Sequence, residues 1–197
     1  MKKITFAVLL LAGIALGTNV SAQTKVKHEN NKMKMKEKTV TVGGAPMYPS
    51  KTIVENAVNS KDHTTLVAAV KAAGLVETLS SAGPFTVFAP TNAAFNKLPK
   101  GTVETLVKPE NKTLLTSILT YHVVAGRLGS KELMQLIKDG NGTATLTTVA
   151  GGKLWVMRKG NTLWVKDEKG ATAQVSIKDV FQSNGVIHVV NSVLMPK

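Results

Sequence analysis

The spacing of apolar residues predicts a helical first half for the folded part of the chain. Between residues 51 and 138, apolar side chains such as Ile53, Val54 and Ala57 recur at the intervals of an amphipathic helix. Gly74 is suited to a left-handed helix end, and Pro109 separates two helical segments. The pattern predicts helices over 52–60, 63–73, 75–81, 95–98, 102–108, 109–121 and 130–138.

The second half has the pattern of short β-strands. Segments rich in Val, Thr, Trp and Ile are separated by Gly-Gly, Gly-Asn, Lys-Gly and Asn-Gly pairs, which are turn formers. They predict strands over 143–149, 153–158, 162–166, 171–177 and 186–194, after one earlier strand at 85–88. Helices followed by an antiparallel region indicate an α+β fold, and the chain has no internal repeat, so we expect one domain.

The strand register predicts which residues share a face. If Gly160-Asn161 closes a two-residue hairpin, Trp155 pairs with Lys166 and Met157 with Trp164. The other face is then aliphatic and suited to the core. Trp155 and Trp164 beside Lys166 form a candidate partner-binding surface, able to stack on sugar rings or to anchor a protein. The alternative is that helices or a second sheet cover this face.

The N-terminal region has the pattern of an exported protein. Lys2 and Lys3, an apolar run over 4–16 and Val20-Ser21-Ala22 are typical of a cleaved signal peptide over 1–22. Residues 23–50 contain six lysines and few apolar residues, which predicts a basic disordered tail and linker. The folded domain is therefore expected over 51–197. The pattern predicts a secreted or periplasmic protein and does not choose between the two.

The chain is strongly basic and lacks cysteine. Its formal net charge is +13, so the tail is expected to contact anionic surfaces, with no specific nucleic acid as partner. Without cysteine there are no disulfides, thiol nucleophiles or thiolate metal sites. No stretch beyond the leader is long and apolar enough to span a membrane.

We find no motif for catalysis or for metal or cofactor binding. The four histidines are His28, His63, His122 and His188, and no nucleophile elbow, zinc-binding helix motif or phosphate loop accompanies them. Acidic residues form no evident pair for acid–base chemistry. We therefore expect a non-enzymatic protein without a cofactor.

Three segments carry a family resemblance. Residues 86–95 read TVFAPTNAAF, residues 121–122 read YH, and residues 184–196 read NGVIHVVNSVLMP. Together they resemble the fasciclin domain family. The resemblance implies a fasciclin-like α+β fold, in which two twisted β-sheets form a sandwich or wedge with helices packed along one side.

The resemblance also implies candidate site residues. In vertebrate matrix proteins of this family, the Tyr-His segment and an Asp-Ile pair are implicated in integrin binding, and they correspond here to Tyr121-His122 and Asp179-Val180. The alternative is that these residues form a packing motif. His188 alternates with apolar residues on a strand buried from both sides, so we expect a core histidine bonded to a backbone carbonyl or a nearby Thr or Asp.

The resemblance, the export signal and the missing catalytic groups favour one function. We expect a non-enzymatic adhesion or binding module at the cell surface, extracellular matrix or biofilm, with a protein or polysaccharide partner. The alternative is a soluble periplasmic binding protein for a small ligand or polysaccharide fragment, which a closed apolar pocket would favour.

Overall fold

The computed structural model describes residues 38–197. The expected signal peptide over 1–22 and the tail as far as residue 37 lie outside the described residues. The helices of the described part are α1 (Ile53–Ala57), α2 (Thr64–Ala73), α3 (Val76–Ser80), α4 (Asn92–Phe95), α5 (Thr102–Leu106), α6 (Lys112–Tyr121) and α7 (Ser130–Asp139). Short 3₁₀ turns at Lys61–His63 and Pro109–Asn111 precede α2 and α6.

Local sequence signals set several helix ends. Thr52 and Glu55 form a reciprocal capping box at the start of α1, and the Thr91 hydroxyl accepts from the Ala94 N–H at the start of α4. Gly74 ends α2 with φ of 73°, as predicted. The start of α7 differs, because its cap comes from a distant residue, the Asp179 carboxylate, which accepts from the Ser130 N–H.

Within residues 38–197, nine strands form two sheets. They are β1 (Val40–Val42), β2 (Ala45–Met47), β3 (Phe85–Pro90), β4 (Val123–Ala125), β5 (Thr143–Thr147), β6 (Lys153–Lys159), β7 (Thr162–Lys166), β8 (Thr172–Gln182) and β9 (Gly185–Val190). The first two form a hairpin, and the others form one sheet in the order β4-β3-β9-β8-β7-β6-β5. The predicted α+β class and the six predicted strands are confirmed.

The seven strands of the main sheet are connected by hydrogen bonds into one nearly closed sheet, and the sandwich or wedge of two twisted sheets that the resemblance implies is not confirmed. Strand β8 spans 11 residues and pairs with β7 over residues 172–174 and with β9 over residues 175–182, so it joins the two halves. The register of β8 against β9 shifts between Val175 and Val180, which bends the strand. A bridge between Val124 and Thr148 links the two outer edges, so the sheet nearly closes on itself.

Two apolar cores lie on opposite sides of β3 and β9. Val87 and Ile187 pack in the core shared with helices α1 to α6, whereas Phe88 and Val190 pack in the core shared with α7 and strands β5 to β8. Every residue of β9 is buried. The prediction of a central strand buried from both directions is therefore confirmed. Helices α1 to α6 cover one side of β3 and β9, whereas α7 packs on the other side.

Residues 40–47 are folded, whereas the sequence predicts a linker as far as residue 50. They form the β1–β2 hairpin, and Val42 and Met47 are only 4% and 3% exposed within the helical core. The Asn56 side chain fixes the hairpin to α1 through hydrogen bonds with the backbone N–H and carbonyl of Tyr48. The Gly- and Pro-rich composition that suggests a linker instead supplies the hairpin turn at Gly43-Gly44.

Asn184 connects the helical layer to the sheet. Its side-chain carbonyl accepts from the Ile53 N–H at 2.9 Å, and its amide donates to the Leu79 and Ser81 carbonyls at 2.8 Å each. Asn184, Ile53 and Leu79 are buried, so the Ile53 N–H and the Leu79 carbonyl have no water to replace a lost partner. Asn184 thereby holds the start of α1, the end of α3 and the β8–β9 turn together.

We expect Asn184→Ala to lower the free energy of unfolding by about 3 kcal/mol, because it leaves buried backbone groups unpaired. Urea denaturation at neutral pH measures the change. Asn96→Ala is the matched control, since Asn96 is exposed at the end of α4, and it should change stability by less than about 0.5 kcal/mol. Equal stability of the two variants would contradict the role assigned to Asn184.

Candidate functional site

The solvent side of the β6–β7 hairpin carries the two tryptophans. Trp155 pairs with Lys166 and Met157 with Trp164, so the predicted register is confirmed. These four side chains are each partly exposed, while the aliphatic side chains between them lie in the core: Leu154, Val156, Leu163 and Val165. The hairpin therefore presents an aromatic face, defined by Trp155, Met157, Trp164 and Lys166.

Two lysines lie over the indoles of the aromatic face. Lys159 Nζ is 5.0 Å from the Trp164 ring centroid, and Lys166 Nζ is 5.5 Å from the Trp155 ring centroid. Both distances are within the range of cation–π attraction. This arrangement places positive charge beside the indoles, so the face combines flat apolar area with attraction for anionic or hydroxyl-rich partners.

Tyr121 and His122 lie in the interior. The Tyr121 hydroxyl donates to the Lys153 carbonyl at 2.7 Å and accepts from the Glu168 N–H at 3.0 Å, and burial raises the pKa of Tyr121 to about 12. His122 Nε2 accepts from the Leu194 N–H at 2.9 Å, so its other ring nitrogen, Nδ1, carries the proton and donates to the Ile118 carbonyl. Both ring nitrogens of His122 are thus used in holding α6 against the C-terminal segment.

Asp179 and Val180 also serve the fold. Asp179 adopts φ of 61° at the bend of β8, and its carboxylate accepts from the backbone N–H and the hydroxyl of Ser130. Val180 is 1% exposed and, like His122, lines the helical side of the sheet. The structure therefore places Tyr121, His122 and Val180 away from solvent and leaves only Asp179 partly exposed.

His188 is a core histidine, as predicted. Its Nε2–H donates to the Leu128 carbonyl at 2.8 Å, and its Nδ1 faces the Asp179 N–H at 3.4 Å. The ring stacks on Phe88, with 5.7 Å between centroids. Burial lowers the pKa of His188, so the ring stays neutral and links β9 to the loop before α7.

Ser60 and His63 form a pair that the sequence gives no reason to expect. The Ser60 hydroxyl lies 2.9 Å from His63 Nδ1, the contact of a nucleophile with its base. A Cβ at Gly43 would overlap Ser60 Oγ, so the β1–β2 turn occupies the space above the hydroxyl. No carboxylate accepts from His63 Nε2 among the described residues, so no third side chain orients the ring. The pair lacks both substrate access and the third member of a triad.

An apolar cavity of about 60 Å³ lies between the helices and the sheet. Its wall comes from the β1–β2 hairpin, helices α1 to α3 and α6, and strands β3, β4, β8 and β9. Ser60, His63 and His122 contribute the polar atoms, and Lys71 is the one charged residue among its lining residues. The hydrophobic periodicity of the helices predicts their buried faces but does not reveal that these faces leave a space.

Neither a group of metal ligands nor a membrane-spanning helix occurs among the described residues. Within residues 38–197, no three His, Cys, Asp or Glu side chains are grouped as metal ligands. In the same part of the chain, none of the helices has the length and apolar composition needed to cross a bilayer.

The fold and the packed sequence blocks define a fasciclin domain. The Fasciclin domain family model matches residues 61–196, so the chain belongs to this family. A solved FAS1 domain pair from the insect cell adhesion molecule fasciclin I superposes with a TM-score of 0.68 at 17% identity, covering 81% of this chain and 58% of that chain. This likeness establishes a shared fold.

Two relatives in bacteria are similar over most of the chain. Protein sll1483 of Synechocystis is 43% identical over 188 residues, which covers 94% of this chain and 92% of that protein. Immunogenic protein MPB70 of Mycobacterium bovis is 41% identical over 145 residues, which covers 71% of this chain and 66% of that protein.

The buried His122 makes stability depend on pH. Burial lowers its pKa to about 4, whereas an unfolded histidine has a pKa of about 6.5. The unfolded state therefore binds a proton at higher pH than the folded state. The stabilisation is fully present above pH of about 6.5 and decreases by about 3 kcal/mol as the pH falls to about 4. Burial lowers the pKa values of His63 and His188 in the same direction.

We expect urea midpoints measured across this pH window to fall steeply for the wild type and less steeply for His122→Asn, which lacks the titrating ring. The variant is also less stable at neutral pH, because the Leu194 N–H and Ile118 carbonyl lose an ideal partner. Parallel pH profiles for the two proteins would rule out His122 as a source of the acid sensitivity.

Proposed function

We propose that this protein is an exported, non-enzymatic adhesion or binding module whose contact surface is the aromatic face. Its partner is a protein or polysaccharide at a cell surface, in the extracellular matrix or in a biofilm. The observation that carries the proposal is the partial exposure of Trp155 and Trp164 beside lysines on the β6–β7 hairpin. Large, ordered aromatic side chains lose little conformational entropy on binding and often dominate interface energies.

The geometry favours this face over the Tyr-His and Asp-Val segments. A partner can reach Trp155, Trp164 and Lys166 without a change of conformation. It could reach Tyr121 or Val180 only after the core opened, and the Asp179 carboxylate would first have to release the N-terminus of α7. Membership of a family whose solved FAS1 domain pair comes from a cell adhesion molecule supports the proposed class of function.

The basic tail is proposed to contribute to binding by electrostatic attraction. Residues 23–38 contain six lysines, which would attract anionic polysaccharide or lipid headgroups without defined geometry. Such attraction raises the rate of encounter, while the aromatic face supplies the short-range contacts. We propose that the leader over 1–22 is cleaved and that this tail then precedes the domain.

Replacing both indoles tests the proposal. Trp155→Ala combined with Trp164→Ala should weaken binding to intact bacterial cells, or to immobilised alginate or cellulose, by at least about ten-fold. Binding isotherms from surface plasmon resonance or cell pull-down give the measurement. Phe181→Ala is the matched control, because Phe181 is an exposed aromatic residue outside the aromatic face, at 40% exposure.

Thermal denaturation must show that the double variant remains folded, which its solvent-side location makes the expected result. If the double variant binds every one of these probes as well as the wild type and the Phe181 variant do, the aromatic face is not the contact surface.

Removing the tail tests its electrostatic part. A chain of residues 38–197 keeps the β1–β2 hairpin and should bind alginate more weakly than the longer chain at low salt, with a smaller dependence on salt concentration. The two chains should converge above about 0.5 M salt, where the screening length falls below about 5 Å. Identical salt profiles would assign the attraction to the domain alone.

A further inference from the structure

An open groove lies between helix α7 and strand β6, beside the turn that follows α7. Its volume of about 680 Å³ is within the ~300–1,000 Å³ range of ligand sites, whereas the apolar cavity of the helical core measures only about 60 Å³. Met134 and Ile137 form the apolar part of its wall, and Gln135 supplies an amide group. The groove is therefore large enough for an extended ligand and offers it both apolar and polar contacts.

Three cationic side chains line the groove, and no carboxylate does. Lys131 and Lys138 lie seven residues apart on one face of α7, which is about 10 Å along the helix axis, and Arg158 of β6 is the third cation. All three residues are exposed, and none forms an ion pair within residues 38–197. Lys131 also borders a neighbouring cleft that contains the Glu132 and Asp179 carboxylates, whereas Lys138 and Arg158 do not. These three cations define the basic groove.

The acidic side chains of α7 lie on a different face of the helix. Glu132 and Asp139 each follow one of the groove lysines by one residue, which places them about 100° around the helix axis. The Asp139 carboxylate accepts from Gln135 Nε2 at 2.8 Å, and neither acidic residue lines the groove. No lining carboxylate therefore offsets the positive charge of the basic groove.

The Arg158 guanidinium has donors available for a ligand. Its Nε–H donates to the Gly160 carbonyl, and Nη2 donates to Asn161 Oδ1 at 3.0 Å. A guanidinium has five N–H groups, so three of them have no hydrogen bond among the described residues. Successive side chains alternate along β6, so Arg158 lies on the side of the strand opposite Met157 and the aromatic face.

We propose that the basic groove binds an acidic polysaccharide of β-1,4-linked uronate residues. Alternate residues of such a chain turn their carboxylates to the same side, so two of these carboxylates can pair with Lys131 and Lys138. Another carboxylate pairs with the Arg158 guanidinium, whose planar fork matches it. The sugar rings pack on Met134, and a ring hydroxyl donates to the side-chain carbonyl of Gln135.

The composition of the groove favours a polysaccharide over a nucleic acid. None of the residues that line it is aromatic, so the bases of a single strand would have no side chain on which to stack. Sugar rings need no such platform, because their apolar faces pack on aliphatic side chains and their hydroxyls bond to polar groups.

Isothermal titration calorimetry of the whole chain with β-1,4-linked tetramannuronate tests the proposal. The expected result is saturable binding at one site, with an affinity that falls as the salt concentration rises. Neutral β-1,4-mannotetraose has the same linkage without carboxylates and should bind at least about ten-fold more weakly, because several exposed ion pairs are lost. In an NMR titration, tetramannuronate should shift the amide signals of Lys138 and Gly142 and leave both indole N–H signals unchanged.

A matched pair of double variants locates the charge. Lys131→Gln combined with Lys138→Gln should weaken tetramannuronate binding by at least about four-fold, which is about two-fold for each exposed ion pair. Lys100→Gln combined with Lys108→Gln removes the same net charge at exposed residues that do not line the groove, so it should leave the affinity nearly unchanged.

A second pair separates position from overall charge. Gln135→Glu adds a carboxylate to the groove and should weaken binding, whereas Leu136→Glu adds one to an exposed position of α7 outside the groove. The two variants have the same net charge, so a weaker affinity of the Gln135 variant reports repulsion within the groove.

Absence of saturable tetramannuronate binding would overturn the proposal, as would equal affinity of the two double lysine variants. Tighter binding of oligodeoxythymidylate than of tetramannuronate would also overturn it, because the groove would then be a nucleic-acid site. Loss of tetramannuronate binding in the tryptophan double variant would assign the binding to the aromatic face instead.

The groove and the aromatic face can be tested separately. The tryptophan double variant should bind tetramannuronate normally, and the Lys131–Lys138 variant should bind neutral cellulose as the wild type does. A failure of the adhesion proposal and a failure of the basic groove proposal are therefore separate results.

Discussion

The parallel pairing of β9 with β3 is the constraint on which the rest of the fold depends. Strand β9 lies between β3 and β8 with every residue buried, so both of its faces need an apolar partner layer. Helices α1 to α6 supply one layer, and α7 with strands β5 to β8 supplies the other. Gly185 is required at the start of this pairing, because a Cβ there would overlap the Phe85 carbonyl oxygen. Strands β3 and β9 are far apart in the sequence, so their pairing closes a long loop. The loss of chain entropy in this closure opposes folding.

Buried polar groups give this packing its specificity. His122 and His188 each use one ring nitrogen as donor and the other as acceptor, so each ring has a single favourable tautomer and orientation. Asn184 bonds the start of α1 and the end of α3, and Asp179 bonds the start of α7, so each of these helix ends also has a specific polar partner. The residues of the family blocks thus mainly join the two layers. This structural role explains why the most recognisable of them are buried and cannot contact a partner.

The aromatic face lies outside those blocks, whereas the cavity wall includes block residues such as Val87, His122 and Ile187. The aromatic face lies on the hairpin that closes the second core, and the cavity lies where the helices meet the first core. The basic groove includes Arg158 on the opposite side of this hairpin and also lies outside the blocks. The aromatic face and the basic groove use different chemistry, flat aromatic area with lysines in one case and three cations without a lining carboxylate in the other. A fasciclin domain can therefore vary its contacts while it keeps the residues that join its layers.

The sequence predicts the elements correctly where the physical cause of their formation is local. Periodicity, caps and turn pairs located the helices and most strands, and the Gly160-Asn161 turn fixed the Trp155–Lys166 register because a two-residue hairpin leaves one pairing. It failed where the cause is distant. The β1–β2 hairpin is stable because Asn56 and the helical core hold it, and β4 and the second half of β8 are strands because β3 and β9 provide their partners.

The features of the candidate site also separate into those with a local cause and those with a distant cause. The sequence by itself determined the fasciclin family, the α+β class and the composition of the aromatic face, since these follow from motifs and from alternation along one hairpin. Only the tertiary structure decided that Tyr121, His122 and Val180 are interior, that Ser60 meets His63, that the helices leave an apolar cavity, and that α7 and β6 bring three cations to one groove. Each of these depends on the distance between layers, which no pattern along a single segment encodes.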